Sequence, residues 1–288
     1  MSDLRDLEER VERLWSTPAH SPSPEDAEET IDALLVALEE GRVRAAVKDE
    51  EGTWRAVPWV KRGILAGFRV GRMIDQSVLG DARVGLPFAF FDKHTLPVRT
   101  LTLDDGIRIV PGGSTIRRGA CVARGVVCMP PMYINVGAHI GAGTLVDSHA
   151  LIGSCAQVGE RVHVSAAAQI GGVLEPVNAS PVVIEDDAII GGNCGVYEGT
   201  VVRARAVLAA GVILTRGTPV YDLVRETVLR ATAESALEIP EGAVVVPGAR
   251  AVRTGWGASQ GLSLQAPFIV KYRDEKTDLS TALEAWLR

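Results

Sequence analysis

Apolar residues recur at every sixth position through the middle of the chain. The series runs from Ile116 to Ile170 and, after one shift of phase, from Ile184 to Val220, and all seventeen of its positions hold Ile, Val, Leu or Cys. With 47% hydrophobic residues in the chain, an unbroken series of this length at a preset phase has a chance on the order of a few in a million. The spacing is therefore a structural signal. Its members are Ile116, Val122, Cys128, Ile134, Ile140, Val146, Ile152, Val158, Val164, Ile170, Ile184, Ile190, Val196, Val202, Leu208, Leu214 and Val220.

A spacing of six predicts extended chain, because six is a multiple of the two-residue strand period and does not fit the period of an α-helix. Hexad repeats are typical of a parallel β-helix, in which three hexads form one coil and strands stack about 4.8 Å apart. Residues 116–175 supply ten hexads and residues 184–225 seven, enough for five to six coils. The segment IPEGAVVVPG, which begins at Ile239, predicts a further partial coil. We therefore expect a mainly β fold.

Details within the hexads predict where the coils turn and where a loop leaves them. The fourth residue after each apolar marker is usually small, and glycines occur where a corner needs an unhindered backbone. From Ile170 to Ile184 the chain advances fourteen residues, two more than two hexads. This excess predicts a loop that protrudes near residues 172–183 and carries binding groups. The expected corner glycines are Gly137, Gly141, Gly143, Gly153 and Gly159.

The chain is expected to divide into three parts. Residues 1–105 form a helical and mixed N-terminal domain, residues 106–250 form the β-helix, and residues 251–288 form a small cap of one strand and one helix. Near the start, the segment DAEETIDALLVALEEGRVRAAV has apolar residues at helical spacing and predicts one helix with Gly41 as its stop. Short strands and another helix are expected over residues 53–105, whose topology the pattern leaves open.

Composition and charge narrow the class of partner. The net charge of -6 and the isoelectric point near 5.5 argue against nucleic-acid binding, which favours a basic face. Small-molecule partners are expected instead. The N-terminal residues lack the apolar core of a signal peptide, and no apolar run approaches the length of a membrane span, so we expect a cytoplasmic protein without membrane contact. The four cysteines form no CxxC pair and are expected to be buried thiols.

Three charged side chains stand out because packing does not require them. Asp147 follows the inward Val146, where other hexads carry glycine, and a carboxylate there can orient or deprotonate an amine. Glu198, in the segment VYEGTV, is a second candidate of the same kind. Arg108, just before the first hexad, can clamp a substrate carboxylate with its forked donors. The alternative for all three is a solvated surface charge.

Three histidines suggest a competing metal hypothesis. Some hexapeptide-repeat proteins, the γ-type carbonic anhydrases, bind zinc through three histidines, and His139, His149 and His163 are the candidates here. Their separations of ten and fourteen residues are not multiples of an 18-residue coil, so stacking does not align them. We therefore expect no metal site.

Six segments, together with the front helix, carry a likeness that goes beyond the hexad spacing. They are WRAVPWVKRGILAGFRV, FFDK, GIRIVP, GTLVDSHALIGSCAQVGERVHVS, IGGVLEPVNASPVVIEDDAIIG and TPVYDL. In these segments, which span most of the chain, the protein resembles the tetrahydrodipicolinate N-succinyltransferase family of hexapeptide acyltransferases. The resemblance implies a left-handed parallel β-helix, an α-helical N-terminal domain and a homotrimer with active sites between adjacent subunits.

The resemblance also implies a reaction and site residues. The family moves a succinyl group from succinyl-CoA to the amino group of ring-opened tetrahydrodipicolinate in lysine and diaminopimelate biosynthesis. By resemblance, Asp147 contacts the substrate amine, Arg108 binds a substrate carboxylate, and Glu198 matches an acidic position. The family carries a further glutamate at the position of Gly195, which leaves open which carboxylate acts as the base.

The sequence also suggests a cosubstrate and leaves three alternative functions open. The segment TPVYDL and the tail around Lys271 resemble segments near CoA, although no single CoA contact is assigned. No permanently bound cofactor is expected, since direct transfer requires neither a metal nor a covalent intermediate. The rivals are the same acceptor acetylated from acetyl-CoA, a γ-type carbonic anhydrase and a non-catalytic scaffold.

Overall fold

The computed structural model describes residues 2–18, 23–77 and 90–274. An α-helical region with two short hairpins comes first, and α1, α2 and α3 pack on one another around a core of their own. The elements of this part are α1 (Ser2–Ser16), α2 (Pro24–Glu39), β1 (Ala46–Lys48), β2 (Trp54–Ala56), α3 (Pro58–Val70), β3 (Met73–Asp75) and β4 (Phe91–Lys93), then a 3₁₀ turn at Leu103–Asp105.

The helix α2 begins and ends at clear sequence signals. The Ser23 hydroxyl accepts a hydrogen bond from the backbone N–H of Asp26 at 3.1 Å, which satisfies one of the free donors of the first turn. The chain leaves the helix at Glu40, and Gly41 takes the left-handed conformation at φ 69°. The prediction of one helix that stops at Gly41 is therefore confirmed, and β1, which pairs with β2, follows it.

The first helix of the chain is a feature that the sequence reading missed. Residues 2–16 are rich in charge, yet Leu7, Val11 and Leu14 recur at helical spacing and are buried. They face α2 and α3, where Gly63 allows close approach: a Cβ at this glycine would lie 2.3 Å from Leu34. The N-terminal segment is thus part of the helical core.

The middle of the chain winds into a parallel β-helix of two-residue strands. Its strands are β5 (Arg108–Ile109), β6 (Thr115–Ile116), β7 (Cys121–Val122), β8 (Val127–Cys128), β9 (Tyr133–Ile134), β10 (His139–Ile140), β11 (Leu145–Val146), β12 (Leu151–Ile152), β13 (Gln157–Val158), β14 (His163–Val164), β15 (Gln169–Ile170), β16 (Val183–Ile184), β17 (Ile189–Ile190), β18 (Gly195–Val196), β19 (Val201–Val202), β20 (Val207–Leu208) and β21 (Ile213–Leu214).

These strands form three faces. Face 1 contains β7, β10, β13, β16 and β19; face 2 contains β5, β8, β11, β14, β17 and β20; face 3 contains β6, β9, β12, β15, β18 and β21. Each strand pairs with the strand one coil later, so that Ile134 pairs with Ile152 and Ile152 with Ile170. All seventeen members of the apolar series are buried in one core. The predicted parallel β-helix is confirmed.

The shift of phase after Ile170 is a protruding loop, as predicted, but the loop is longer than the predicted excess of two residues. Ile184 pairs with Val158 on face 1, so it occupies the position that directly follows Ile170. The fourteen-residue advance therefore replaces a single hexad and contains eight extra residues. The loop is held by Lys61 of α3, which is fully buried and donates a hydrogen bond from Nζ to the carbonyl of Ala179.

The corners use glycine for two separate reasons. Gly137 and Gly143 adopt positive φ, at 75° and 70°, as a tight corner requires. Gly141, Gly153 and Gly159 have no such backbone requirement, and a Cβ at each would lie within 2.5 Å of an atom of the next coil. The equivalent left-handed corner position is also filled by residues with side chains: His149, Cys155, Arg161, Ala167, Asp187, Asn193 and Arg205.

A second excursion and a long hairpin end the described chain. Val220 is buried in the core as predicted, but β22 leaves the coil and pairs with β26, so the ladder resumes at β24. The predicted partial coil after Ile239 is confirmed by the pairing of β24 with β19 and of β25 with β20. The predicted terminal helix LSTALEAWLR lies outside the described residues. The elements are β22 (Val220–Asp222), β23 (Thr227–Leu229), β24 (Glu238–Ile239), β25 (Ala243–Ala251), α4 (Gly255–Ser259) and β26 (Ser263–Tyr272).

Among the helices of the described ranges, we find none with the length and apolar character needed to cross a membrane.

Candidate active site

Asp147 lies directly after β11, at the corner where the chain passes from face 2 to face 3. Its backbone is fixed on both sides: its N–H donates to the carbonyl of Val164 at 2.9 Å, and its carbonyl accepts from Ala150 at 3.1 Å. Its side-chain Oδ1 accepts from the N–H of Ser148 at 2.7 Å. Within the described residues Oδ2 has no hydrogen-bond partner, and the side chain is partly exposed. The carboxylate is thus oriented by the corner and open to a ligand.

Arg108 lies on the same face of the β-helix as Asp147. It pairs with Val127, which pairs with Leu145, two residues before Asp147. Two strand spacings, about 10 Å, therefore separate its level in the stack from that of β11. The guanidinium is exposed, and the described part of the chain offers it no ion-pair partner. A basic fork and a carboxylate thus lie along one edge of the stack.

Glu198 is not brought together with these two residues in a single chain. It lies after β18, at the corner between faces 3 and 1, and its side chain is exposed. Its Oε2 accepts a hydrogen bond from the N–H of Arg216 at 2.9 Å. Its backbone is left-handed, at φ 53°, one position earlier in the hexad than at the other corners.

Tyr197 is a site-neighbouring residue that the sequence reading missed. A Cβ at Gly195 would lie 2.4 Å from Cε2 of Tyr197 and 2.9 Å from its hydroxyl, and a Cβ at Gly171 would lie 2.8 Å from Cδ1. The ring therefore lies across two glycines on face 3. No sequence signal indicated this contact, because the position of the ring follows from stacking between coils.

The three histidines of the metal hypothesis lie on different parts of the β-helix. His139 is on face 1, His163 on face 2, and His149 at the corner between faces 2 and 3. Within residues 2–18, 23–77 and 90–274, no group of three His, Cys, Asp or Glu side chains is arranged to hold a metal ion.

The C-terminal hairpin, β25 with β26, carries a cavity of about 780 Å³. Arg250 and Arg253 contribute positive charge to it, and Tyr221 and Phe268 contribute aromatic rings whose centroids are 5.6 Å apart. Nε of Arg250 is buried and has no hydrogen-bond partner among the described residues. Lys271 lies elsewhere on β26 and forms an ion pair with Asp274 at 3.5 Å.

The segment TPVYDL is fixed to this hairpin by the pairing of β22 with β26 and by a side-chain hydrogen bond. The hydroxyl of Tyr272 donates to Oδ2 of Asp222 at 2.6 Å, while Oδ1 of Asp222 accepts from the backbone N–H groups of Val224 and Arg225. Burial and the hydrogen bond to Asp222 raise the pKa of Tyr272 to about 12, so it stays protonated and keeps donating at neutral pH. Arg225 lies over the Tyr272 ring at 4.3 Å.

The hairpin and Asp147 project from the same edge of face 2. One ladder runs from Val146 through Val164, Ile190 and Leu208 to Val245. Asp147 directly follows the first of these residues, and β25 continues past the last of them to residue 251. Four strand spacings, about 19 Å, separate the two levels. A long ligand lying along this edge can therefore reach both.

The sequence of the chain matches known proteins over nearly its whole length. Residues 6–70 match the family model described as tetrahydrodipicolinate N-succinyltransferase N-terminal, and residues 181–216 match the hexapeptide repeat of succinyl-transferase. The chain is 38% identical to the 2,3,4,5-tetrahydropyridine-2,6-dicarboxylate N-succinyltransferase of Polynucleobacter asymbioticus, over 96% of this chain and 97% of that one. It is 40% identical to that of Nitrobacter winogradskyi, over 94% and 92%.

Among solved structures, the chain is similar to a putative 2,3,4,5-tetrahydropyridine-2-carboxylate N-succinyltransferase from Campylobacter jejuni. The identity is 19%, the TM-score is 0.49, and the match covers 83% of this chain and 62% of that one.

Proposed function

The chain belongs to the tetrahydrodipicolinate N-succinyltransferase family, and from this premise we infer that its active site lies along the edge of face 2 that carries Arg108 and Asp147. The protein is a CoA-dependent acyltransferase that moves a succinyl group from succinyl-CoA to the amino group of tetrahydrodipicolinate, a step of lysine and diaminopimelate biosynthesis. The observation that carries this function is the full-length match to relatives that bear this name.

Asp147 is the proposed base. The acceptor nitrogen must lose a proton as it attacks the thioester carbonyl; the bond to sulfur then breaks, and CoA leaves as the thiol. Oδ1 of Asp147 is held by the N–H of Ser148, which leaves Oδ2 to accept the proton of the amine. A positioned base of this kind contributes about 10² to 10⁴ in rate.

Arg108 is proposed to bind a carboxylate of the acceptor. Its guanidinium is exposed and on the same face as Asp147, about 10 Å along the stack, so a dicarboxylate with an amine near its other end spans the two side chains. The planar fork of donors matches a carboxylate in two hydrogen bonds.

The cosubstrate is proposed to lie along the same edge, with its nucleotide end in the cavity of the C-terminal hairpin. Arg250 and Arg253 suit its phosphates, and Tyr221 with Phe268 suits its adenine. The separation of about 19 Å between this hairpin and Asp147 is comparable with the length of an extended pantetheine arm.

Glu198 is proposed to complete the site of a neighbouring subunit. Asp147 and Glu198 occupy different corners of one coil stack, so one chain does not bring them together. A cyclic homotrimer of left-handed β-helices, packed side by side, places the corner of one subunit against the edge of the next. Glu198 then acts with Asp147 on the amine, and Gly195 occupies the position where the family has a further glutamate.

The proposed function is tested by following thiol release from succinyl-CoA and from acetyl-CoA with 2-aminopimelate as acceptor. We expect release with succinyl-CoA, and a kcat about 10² to 10⁴ lower for Asp147→Asn. The matched control is Asp6→Asn, an exposed acid on α1 and outside the β-helix, which should keep the wild-type rate. Full activity in Asp147→Asn would show that Asp147 is not the base. Faster thiol release with acetyl-CoA would show that the donor is acetyl-CoA.

A further inference from the structure

A second polar cavity lies away from the edge of face 2. It has a volume of about 480 Å³ and lies between the N-terminal hairpin, β1 with β2, and face 1 of the β-helix. The hairpin side contributes Arg44, Lys48 and Trp54, and face 1 contributes His139 and Gln157. We call it the face-1 cavity. None of Arg108, Asp147 and Glu198 lines it.

Most charges in the face-1 cavity are paired. Lys48 and Arg203 form ion pairs with Oε1 of Glu185, at 2.8 and 3.0 Å, and the indole of Trp54 donates to the same oxygen. Glu160 and Asp186 share Arg161, which lies outside the cavity lining. These contacts fix the wall of the cavity and leave little free negative charge in it.

Arg44 differs from every other charged residue that lines the cavity, because the described residues give it no ion-pair partner. Its Nε donates to Oε1 of Gln157 at 2.9 Å, and its guanidinium lies 5.5 Å from the Trp54 ring. Neither Nη atom has a hydrogen-bond or ion-pair partner among the described residues, although the side chain is half-buried. An unpaired, partly buried guanidinium with two free donors is a site for an anion.

The neighbours of Arg44 favour an organic anion over an inorganic one. Burial, followed by the charge of Arg44, lowers the pKa of His139 to about 4, so its ring is neutral at neutral pH and adds no second positive charge. The Trp54 ring offers an apolar surface, and the wall beneath it is formed by small residues. These are Ala123, Gly141, Ala142, Gly159 and Ala204.

We propose that the face-1 cavity binds a small carboxylate ligand, with the two free Nη donors of Arg44 on the carboxylate and the Trp54 ring against its carbon chain. This site is separate from the acceptor site, because face 1 and its corner with face 2 are distinct from the corner between faces 2 and 3 that carries Asp147. The ligand is either a plain carboxylate or one that also carries an ammonium group at its other end.

The test is isothermal titration calorimetry on the full chain with three six-carbon probes. Adipate carries only carboxylates, 6-aminohexanoate carries a carboxylate and an ammonium, and 1,6-diaminohexane carries no carboxylate. We expect one or both carboxylate probes to bind and the diamine not to bind. Arg44→Gln should weaken that binding at least about tenfold, which is the effect of removing a charge-assisted bidentate contact.

Two controls separate this site from the acceptor site and from general effects of charge. Arg55→Gln removes an exposed arginine of the same hairpin that pairs with Asp49, and it should bind like the wild type. Arg108→Gln should also keep the binding. If Arg44→Gln unfolds, Arg44→Lys retains the charge without the fork, and the same weakening is expected there.

The proposal fails if neither carboxylate probe binds, or if Arg44→Gln and Arg44→Lys bind as the wild type does. It also fails if Arg108→Gln abolishes the binding, since the probe then occupies the acceptor site. Succinyl transfer is measured on the same variants: unchanged KM for the acceptor in Arg44→Gln supports a separate site, and a raised KM overturns it.

Discussion

The indole N–H of Trp54 donates a hydrogen bond to Oε1 of Glu185 at 2.8 Å, across 131 residues of sequence. This contact joins the N-terminal hairpin to the β-helix. Lys48 from the same hairpin and Arg203 from the next coil converge on the same oxygen, and Oε2 accepts from the N–H of Ala204 at 3.2 Å. One largely buried carboxylate therefore links the two parts of the molecule.

Glu185→Gln should destabilise the protein moderately. The substitution removes the counter-charge that Lys48 and Arg203 share. The Lys48 side chain is 46% exposed and Arg203 keeps its ion pair with Glu238 at 2.7 Å, so the expected loss is about 1 to 2 kcal/mol. The free energy of unfolding in urea measures the effect. Glu241→Gln, at an exposed position, serves as control and should change stability by less than about 0.5 kcal/mol.

The same carboxylate predicts a dependence on pH. Burial alone would raise the pKa of Glu185, but the hydrogen bonds from Lys48 and Trp54 outweigh it and lower the pKa below the ordinary value of 4.5. The stabilisation is therefore complete above that ordinary value and is lost as the pH falls through the lower pKa of the folded state. The difference in unfolding free energy between wild type and Glu185→Gln should shrink as the pH is lowered below 4.5. A constant difference would contradict the assignment.

Gly153→Ala should destabilise the coil stack, whereas Gly217→Ala should not. A Cβ at Gly153 would lie 2.1 Å from the backbone nitrogen of Gly172 in the next coil, so two backbones must separate. The expected loss is about 2 to 3 kcal/mol. A Cβ at Gly217 would meet only the Thr215 hydroxyl, at 3.9 Å. Thermal unfolding of both variants checks the contrast, and equal stability would refute the role of coil spacing.

Arg250→Gln and Arg253→Gln should weaken binding of the cosubstrate and leave the rate of the chemical step unchanged. If the hairpin cavity holds the phosphates of CoA, each substitution raises the KM for succinyl-CoA about tenfold while kcat changes little. Initial rates over a range of succinyl-CoA concentrations measure this. Arg5→Gln, on the first helix and far from the hairpin, is the control. Normal KM in both hairpin variants would place the nucleotide elsewhere.

Mixed oligomers test the shared site. Asp147→Asn and Glu198→Gln should each be inactive alone. After joint refolding of equal amounts, about a quarter of the interfaces in a cyclic assembly carry both native carboxylates. A corresponding part of the wild-type rate should then return. Absence of any recovery, with each variant folded, would place both residues in sites made by single chains or would remove one of them from the reaction.

The β-helix could be predicted from the sequence because an apolar residue recurs at every sixth position. Every inward position of the seventeen-residue series is Ile, Val, Leu or Cys, and each coil repeats the same requirement. The first helix was missed because its three buried residues, Leu7, Val11 and Leu14, are surrounded by charge and repeat only twice. The length of the loop after Ile170 was misjudged because the hexad pattern does not record which face comes next.

The individual residues of the candidate site could be predicted from the sequence, but their positions relative to one another could not. Arg108, Asp147 and Glu198 stood out in the sequence, yet their separation by face depends on the coil register, which only the strand pairs reveal. Tyr197 gave no signal, because its position over Gly171 and Gly195 follows from stacking between coils. Arg44 also gave no signal, since its hydrogen-bond partner Gln157 lies 113 residues away.

Seven corners of the β-helix hold a residue with a side chain in the left-handed region, where glycine carries no steric penalty. At each such corner the left-handed backbone conformation costs about 1 kcal/mol, and substitution by glycine would remove this cost. The fold therefore retains unused room for thermostabilisation at surface corners such as that of Arg205, which lies between faces 1 and 2 and away from the corner that carries Asp147. Homologues from hot environments would be expected to show glycine at these corners more often.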